Sequence, residues 1–357
     1  MMKPTSTTIA PARLEQINDF LSSTRFRGAK LHPLAGDASF RRYIRLRTPD
    51  ESAMLMDAPP EKEDVRPFIA AAEFLYDHGF SAPFIHARHE GQGFLLLEDL
   101  GDDSFTAILK NNPEKEEELY TAAIEVLAKW HDSAAGFTKP DRLVLPRYDE
   151  MLLLKEAALF PDWYLPQVLG TEKAAALRDE YMGIWKDILL QANLATNVWV
   201  HRDYHADNLM WLPERVHHKR VGLLDFQDGV YGDAAYDMVS LLEDARRDVP
   251  IALANAMLDF YITATGVNRV RFLSNYAVLG AQRNCKIIGI FSRLAVRDGK
   301  FSYLNFLPRV WKHLEHDVKH PLLAPLKQWL DKHVPNDRRT SPHPSFFDKN
   351  GRGLVSA

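Results

Sequence analysis

His201, Arg202 and Asp203 stand together, and Asn208 follows five positions after the aspartate. The stretch reads H-R-D-x-x-x-x-N and comes directly after an apolar segment. Four such fixed positions arise by chance in a chain this long about twice in a thousand. Seventeen positions after Asn208 lies Asp225, within Leu224-Asp225-Phe226-Gln227-Asp228. These residue types suit phosphoryl transfer to a hydroxyl. Asp203 would orient or accept the hydroxyl proton, while the Asn208 amide oxygen and the Asp225 carboxylate would hold Mg²⁺ against phosphate oxygens. Four intervening residues let one loop present Asp203 and Asn208 into one cleft, and a hairpin would return Asp225 beside Asn208. The alternative makes Asp203 and Asn208 turn formers and Asp225 a helix cap.

The neighbours of these residues need separate readings. His201 could touch substrate, but a histidine at this loop position more often fixes the loop by hydrogen-bonding backbone. His205 and Asp207 do not make a transition-metal pair, since no further His or Cys completes a set. Asp228 reads equally as a Mg²⁺ ligand and as a capping aspartate.

Elements of two kinds must position this loop. A short helix is expected over residues 13–22, where Leu14, Ile17, Phe20 and Leu21 fall at helical spacing. Strands are expected at Tyr43-Ile44-Arg45-Leu46 and Ala53-Met54-Leu55-Met56, then a helix from Val65 to His78 stopped by Gly79. Ile85–Arg88 and Phe94–Leu97 should pair across Gly91-Gln92-Gly93. Beyond Leu100-Gly101 the pattern becomes helical, with a strong amphipathic run from Glu116 to His131. Short strand patterns return at Val198–Val200, Leu209–Trp211 and Val221–Leu224. The expected architecture is α+β and two-lobed. A β-rich first lobe (1–98) binds nucleotide, and a mostly helical second lobe (99–334) carries catalysis and substrate. A loose tail (335–357) follows.

Within the first lobe, Gly36-Asp37-Ala38-Ser39-Phe40-Arg41-Arg42-Tyr43 lies at a turn between strands, where exposed N–H groups could cradle phosphates. Ser39, Phe40, Arg41 and Arg42 are the candidate nucleotide contacts, although a plain hairpin turn reads the same. Arg41 and Arg42 point to opposite sides of an extended segment, so one at most faces phosphate. The connector after Phe94–Leu97 offers the backbone of Glu98 to Leu100 to adenine.

Lysine plus arginine number 44 and aspartate plus glutamate 48, a net charge of −4 that predicts no nucleic-acid partner. Cys285 is the only cysteine and lies in an apolar helical stretch, so it reads as a core residue in a reducing compartment. Residues 1–12 lack the apolar region of a secretory signal, and no window is apolar enough to span a membrane. A cytoplasmic, monomeric protein without membrane partners is expected.

Catalytic loop, strand–Asp motif, connector and lobe order together resemble the aminoglycoside phosphotransferase/choline kinase-like family, which implies a protein-kinase-like fold. Several stretches are similar to the bacterial anomeric kinases of cell-wall recycling, which phosphorylate N-acetylmuramate and N-acetylglucosamine at C1. They include Met56-Asp57-Ala58-Pro59-Pro60, Leu97-Glu98-Asp99-Leu100-Gly101-Asp102 and Leu159-Phe160-Pro161-Asp162-Trp163-Tyr164, beside the Gly36–Tyr43 turn and both catalytic motifs. The resemblance implies Mg²⁺ and ATP, Asp203 as base, Asn208 and Asp225 as metal ligands, and adenine on the Glu98–Leu100 backbone. One departure stands out. Kinase relatives carry a phosphate-binding lysine on the third strand, and Ala53-Met54-Leu55-Met56 has none. Arg41 or Arg42 is the expected substitute, and Glu73 on the next helix becomes a surface residue.

Tyr148, Glu156, Trp163 and Tyr164 form an aromatic and acidic set that suits a sugar, or else ordinary helix packing. Arg246 and Arg247 could meet a lactyl carboxylate, or simply end a helix. An aminoglycoside would want a more acidic pocket and choline an aromatic cage. A non-catalytic, pseudokinase-like nucleotide binder is the rival from another class. It is motivated by the missing lysine and opposed by the intact Asp203, Asn208 and Asp225.

Overall fold

A computed structural model describes residues 9–34, 40–134, 145–339 and Phe346. Helix α1 (Pro11–Ser22) precedes strands β1 (Lys30–Pro33), β2 (Arg42–Arg47) and β3 (Ser52–Asp57). Helix α2 (Arg66–Asp77) leads to β4 (Ile85–His89) and β5 (Phe94–Glu98), then α3 (Phe105–Asn111) and α4 (Glu116–Ala134). Next come α5 (Glu150–Ala157), a π-helical turn (Phe160–Tyr164), α6 (Leu165–Leu169) and α7 (Thr171–Ala192). Four three-residue strands follow: β6 (Val198–Val200), β7 (Leu209–Trp211), β8 (Val221–Leu223) and β9 (Val230–Gly232). Helices α8 (Ala235–Leu242), α9 (Ile251–Thr265), α10 (Arg269–Asp298), α11 (Leu307–Asp317) and α12 (Ala324–His333) complete the order.

The described residues form two compact units. One takes 9–126 and Asp207–Asp228; the other takes 127–134, Leu145–Ala206 and the chain from Gly229. In the first, five antiparallel strands lie in the order β1-β2-β3-β5-β4. Strand side chains alternate, so Ile44, Leu46, Ala53, Leu55, Phe94 and Leu96 share one face. Ile17, Phe20 and Leu21 of α1 cover that face together with Phe26. Each large apolar side chain buried there contributes roughly 1.5–3 kcal/mol. Polar groups fix the helix as well. Arg13 donates to the fully buried Asp57 at 2.7 and 2.9 Å and lies 3.9 Å above the Phe94 ring. The opposite face carries Tyr43, Arg45, Met54 and Met56, with Met54 in register with Arg45 and Leu97. Methionines therefore stand where the third strand has no lysine.

Strand β7 pairs with β8 through Leu209↔Leu223, which forms the expected hairpin. In the second unit β6 pairs with β9, a partner the sequence pattern does not reveal because three residues carry no readable period. Gly229 is required there: a Cβ would lie 2.0 Å from Trp199 Nε1. Cys285 is fully buried, and burial pushes its thiol up to about 12, so it is an inert core residue. After Pro335, Asn336–Arg338 form a 3₁₀ turn. The Arg339 guanidinium binds the Val334 carbonyl, Asp331 and Glu315, and Phe346 is buried beside Tyr164. The rest of the expected tail, and the Gly36–Ser39 turn, lie outside the described residues. Among the described residues, no helix is long and apolar enough to cross a membrane.

Candidate active site

Strand β6 is wholly buried and delivers the chain into His201-Arg202-Asp203. Arg202 takes φ +75°, a left-handed conformation that costs a non-glycine residue about 1 kcal/mol or more. Asp237 of α8, itself fully buried, holds it there. Its Oδ2 accepts the His201 N–H at 2.7 Å and its Oδ1 the Arg202 N–H at 2.9 Å. Ser240 Oγ donates to the Arg202 carbonyl at 3.2 Å. The His201 ring is buried beside Trp130 and Tyr204, and neither ring nitrogen finds a partner among the described residues. The loop is held through its backbone, and Asp203 remains open to solvent.

A charged cluster surrounds Asp203 within the second unit. Glu156 Oε1 accepts from Arg202 at 2.5 Å and from Lys286 at 2.9 Å, and the Tyr148 hydroxyl donates to Oε2. Burial pushes the Glu156 carboxyl up, but the Lys286 and Arg202 cations reverse this and hold it below its usual range. Asp203 follows the same logic. The protein packed around it removes some of its hydration and raises its pKa, and the surrounding positive charge, Lys286 foremost, brings it below the ordinary aspartate value. Arg246 Nη1 lies 3.4 Å from His205 Nε2, and burial lowers the pKa of that imidazole. Trp163 is half-buried on the π-helical turn. Tyr164 turns into the core, stacked on Phe160 with its hydroxyl on the Arg338 carbonyl. Glu156, Tyr148 and Arg202 are thus brought together, while Tyr164 is drawn away.

The first unit carries the candidate oxygen ligands. The Asn208 carbonyl accepts the Leu224 N–H at 3.0 Å and so fastens the loop to the strand before Asp225. Asp225 has φ +61°, and the Gln227 amide donates to Asp225 Oδ1 at 2.9 Å and to Asp228 Oδ2 at 3.0 Å. Phe226 anchors the segment, buried 5.0 Å from the Phe68 ring of α2. Both carboxylates face solvent. Among the described residues, no group of three His, Cys, Asp or Glu side chains could hold a metal. Two carboxylates and an amide oxygen nevertheless fit Mg²⁺, a hard cation that keeps several waters and takes its other ligands from phosphate.

Arg41 and Arg42 take different partners. Arg41 lies 3.8 Å from Asp228 and 4.0 Å from Glu63, whereas Arg42 binds Asp57 at 2.5 Å. Phe40 is exposed, with the Lys62 ammonium 5.6 Å from its ring. Ser39 lies outside the described residues. Glu73 pairs at the surface with Arg88 at 2.8 Å. Around the connector, Glu98 binds Arg215 at 2.5 Å and Leu100 packs toward Gly222. Arg45 joins β2 to this segment through Asp99 (2.8 Å), Asp102 (2.7 Å) and the Gly101 carbonyl (2.9 Å).

Comparison with known proteins identifies the lineage. Residues 30–273 match the model of a family described as "Phosphotransferase enzyme family". The chain belongs to this family. It is 37% identical over 355 residues to an N-acetylmuramate/N-acetylglucosamine kinase of Caulobacter vibrioides, covering 90% of this chain and 96% of that protein. It is 38% identical over 343 residues to the protein of the same name from Pseudomonas aeruginosa, covering 89% and 96%. Among solved structures, choline kinase LicA of Streptococcus pneumoniae superposes with a TM-score of 0.58 at 15% identity, covering 85% of this chain and 99% of that one. This likeness shows that the fold is the protein-kinase-like one expected.

For a phosphotransferase of this family, three residues that motif reading passes over matter most. Asp237 holds the backbone before Asp203, Lys286 shares Glu156 with Arg202, and Arg45 braces the connector. Asp237 had a detectable signal: it is a lone charge inside an apolar helical run, and a buried charge requires a partner. Arg45 sits in an alternating strand and has no such mark.

Proposed function

We propose that this protein is a Mg²⁺- and ATP-dependent kinase that phosphorylates the C1 hydroxyl of N-acetylmuramate or N-acetylglucosamine. The reading is carried by the two relatives of that name, which match the chain over nearly their whole length. Asp203 accepts a hydrogen bond from the sugar hydroxyl and orients it for in-line attack on the γ-phosphoryl group. Asn208, Asp225 and Asp228 hold Mg²⁺, which when bound neutralises the phosphate oxygens. His201 serves the loop structurally. The backbone of Glu98 and Leu100 takes adenine, and Phe40 and Ser39 lie beside the nucleotide. Residues 1–98 act as the nucleotide lobe and 99–334 as the catalytic and acceptor lobe.

On the acceptor side, Trp163 offers aromatic surface, Arg246 meets the lactyl carboxylate of N-acetylmuramate, and Tyr148, buried with its hydroxyl on Glu156, supports the pocket from the core. The positive charge of Arg202, Lys286 and Arg283 acting around Asp203 disfavours a polycationic aminoglycoside or choline. A cytoplasmic monomer accords with this role. Release of ADP from Mg-ATP tests the reading with N-acetylmuramate, N-acetylglucosamine, an aminoglycoside and choline as acceptors. Turnover on an amino sugar, with an acid-labile and alkali-stable phosphate product, is expected. Turnover confined to the antibiotic or choline, or measurable ATP binding with no turnover at all, would sink it.

Arg41 replaces the absent third-strand lysine in this reading, because its guanidinium is the one of the pair beside Asp228. Losing one group that stabilises developing negative charge costs about a hundredfold to a thousandfold in comparable electrostatic sites. Arg41→Ala is therefore expected to raise the KM for ATP and lower kcat by about tenfold or more together. Arg42→Ala should instead lower the melting temperature, since it leaves Asp57 buried with only Arg13. Steady-state kinetics of the two variants in parallel decide between them.

A further inference from the structure

Lys286 stands on α10 between Cys285 and the apolar pair Ile287 and Ile288. Its ammonium donates to Glu156 Oε1 at 2.9 Å and to the Tyr236 hydroxyl at 3.2 Å. An ammonium has three N–H groups. Among the described residues, the third has no protein partner. The side chain is 14% exposed, so this donor is enclosed but reachable from solvent.

Glu156 is in the opposite condition. Arg202, Lys286 and Tyr148 all donate to its two oxygens, which leaves little capacity for a sugar hydroxyl. Glu156 therefore fixes the positions of its neighbours. Backbone packing fixes them further. Gly289, three residues along α10, approaches Leu159 so closely that a Cβ would lie 2.3 Å from the Leu159 carbonyl carbon. This contact draws α10 onto the segment that follows Glu156. Lys286 and Arg202 share Glu156 Oε1, and Arg202 directly precedes Asp203, so the ammonium lies in the neighbourhood of that carboxylate; its charge also helps to lower the Asp203 pKa.

We propose that Lys286 is a specificity-determining residue that donates its remaining N–H to an oxygen of the acceptor sugar beside the hydroxyl held by Asp203. This rests on the reading of the protein as an amino-sugar kinase. A donor locked by two buried partners cannot swing to a new position, so it distinguishes a sugar with an oxygen at that point from one without it. A buried donor left unpaired by the wrong acceptor is the strongest source of such discrimination.

The test compares wild type, Lys286→Met and Lys286→Arg on N-acetylglucosamine, its 3-deoxy, 4-deoxy and 6-deoxy analogues, and glucose, which lacks the acetamido carbonyl. Wild type is expected to lose about 10–100-fold in kcat/KM on one member of the series. Lys286→Met should lose a similar factor on the parent sugar and show no further penalty on that analogue, with the KM for ATP changed less than about twofold. A purely structural role would not erase one analogue's penalty. Lys286→Arg keeps a charge beside Glu156 but displaces the donor, so it carries the test if the methionine variant melts early; the penalty should shrink at least severalfold. A wild type indifferent to every missing oxygen, or an undiminished penalty in both variants, overturns the inference alone. A wild type silent on every amino sugar overturns the functional reading and this inference with it.

Discussion

Asp203→Asn should lower kcat by about three orders of magnitude while leaving the KM for ATP and for the acceptor nearly unchanged. General-base assistance by a positioned side chain is worth about 10²–10⁴-fold, and an asparagine neither accepts the proton nor carries the charge that orients the hydroxyl. The substitution is close to isosteric, so the loop keeps its shape. In the folded protein the surrounding cations hold the Asp203 carboxyl below its ordinary range. A depressed pKa contributes stability that is present above the unfolded value and is lost as pH falls through the folded one. The asparagine variant therefore melts slightly below wild type at neutral pH, and the gap closes in acid. The same depression fixes the pH profile. Because its pKa lies below the ordinary aspartate value, Asp203 stays ionised across the neutral range, so a fall in rate near pH 6 would belong to another group. A loss in kcat under tenfold would remove Asp203 from the role of base.

Asp237→Ala is expected to be nearly as damaging for a different reason. It leaves the buried N–H groups of His201 and Arg202 without acceptors, at about 1–3 kcal/mol each. It also releases the positive φ of Arg202, a conformation that persists only while its surroundings enforce it. A stability loss of roughly 2–5 kcal/mol should lower the melting temperature by about 5–15 °C. Activity at a temperature where the variant is still folded should fall about a hundredfold, because Asp203 is then delivered to the wrong place. Asp237→Asn retains one carbonyl oxygen and should fall between the two. Thermal melts and kinetics on one sample separate the effects. A variant that melts early yet keeps full kcat would show that the loop holds its geometry unaided.

Much of the β-rich region was legible because alternation is a local property. Tyr43–Leu46, Ala53–Met56 and Phe94–Leu97 each announce a half-buried strand, and each lies in the sheet with its ends moved by at most one residue. Strand β6 was expected at its observed bounds, whereas β1 and β9 were not. Three or four residues give no period, and the pairing of β6 with β9, helped by the close Trp199–Gly229 approach, joins segments far apart in the chain. The pairing of Arg42 with Asp57, and of Arg41 with Asp228, was likewise out of reach. Alternation predicts that two adjacent arginines diverge, but not what waits on either side.

The reaction type was readable from one loop and one hairpin, which carry at the right spacing the residue types that phosphoryl transfer needs. So were the burial of Cys285 and the missing lysine of the third strand. Which charges govern the carboxylates emerges from the folded chain alone. Glu156, Arg202, Lys286 and Asp203 belong to three separate segments, and the pKa of each depends on distances of a few ångströms that no spacing records. Coulomb interactions in a poorly solvated cluster fall off too steeply for sequence neighbours to stand in for spatial ones.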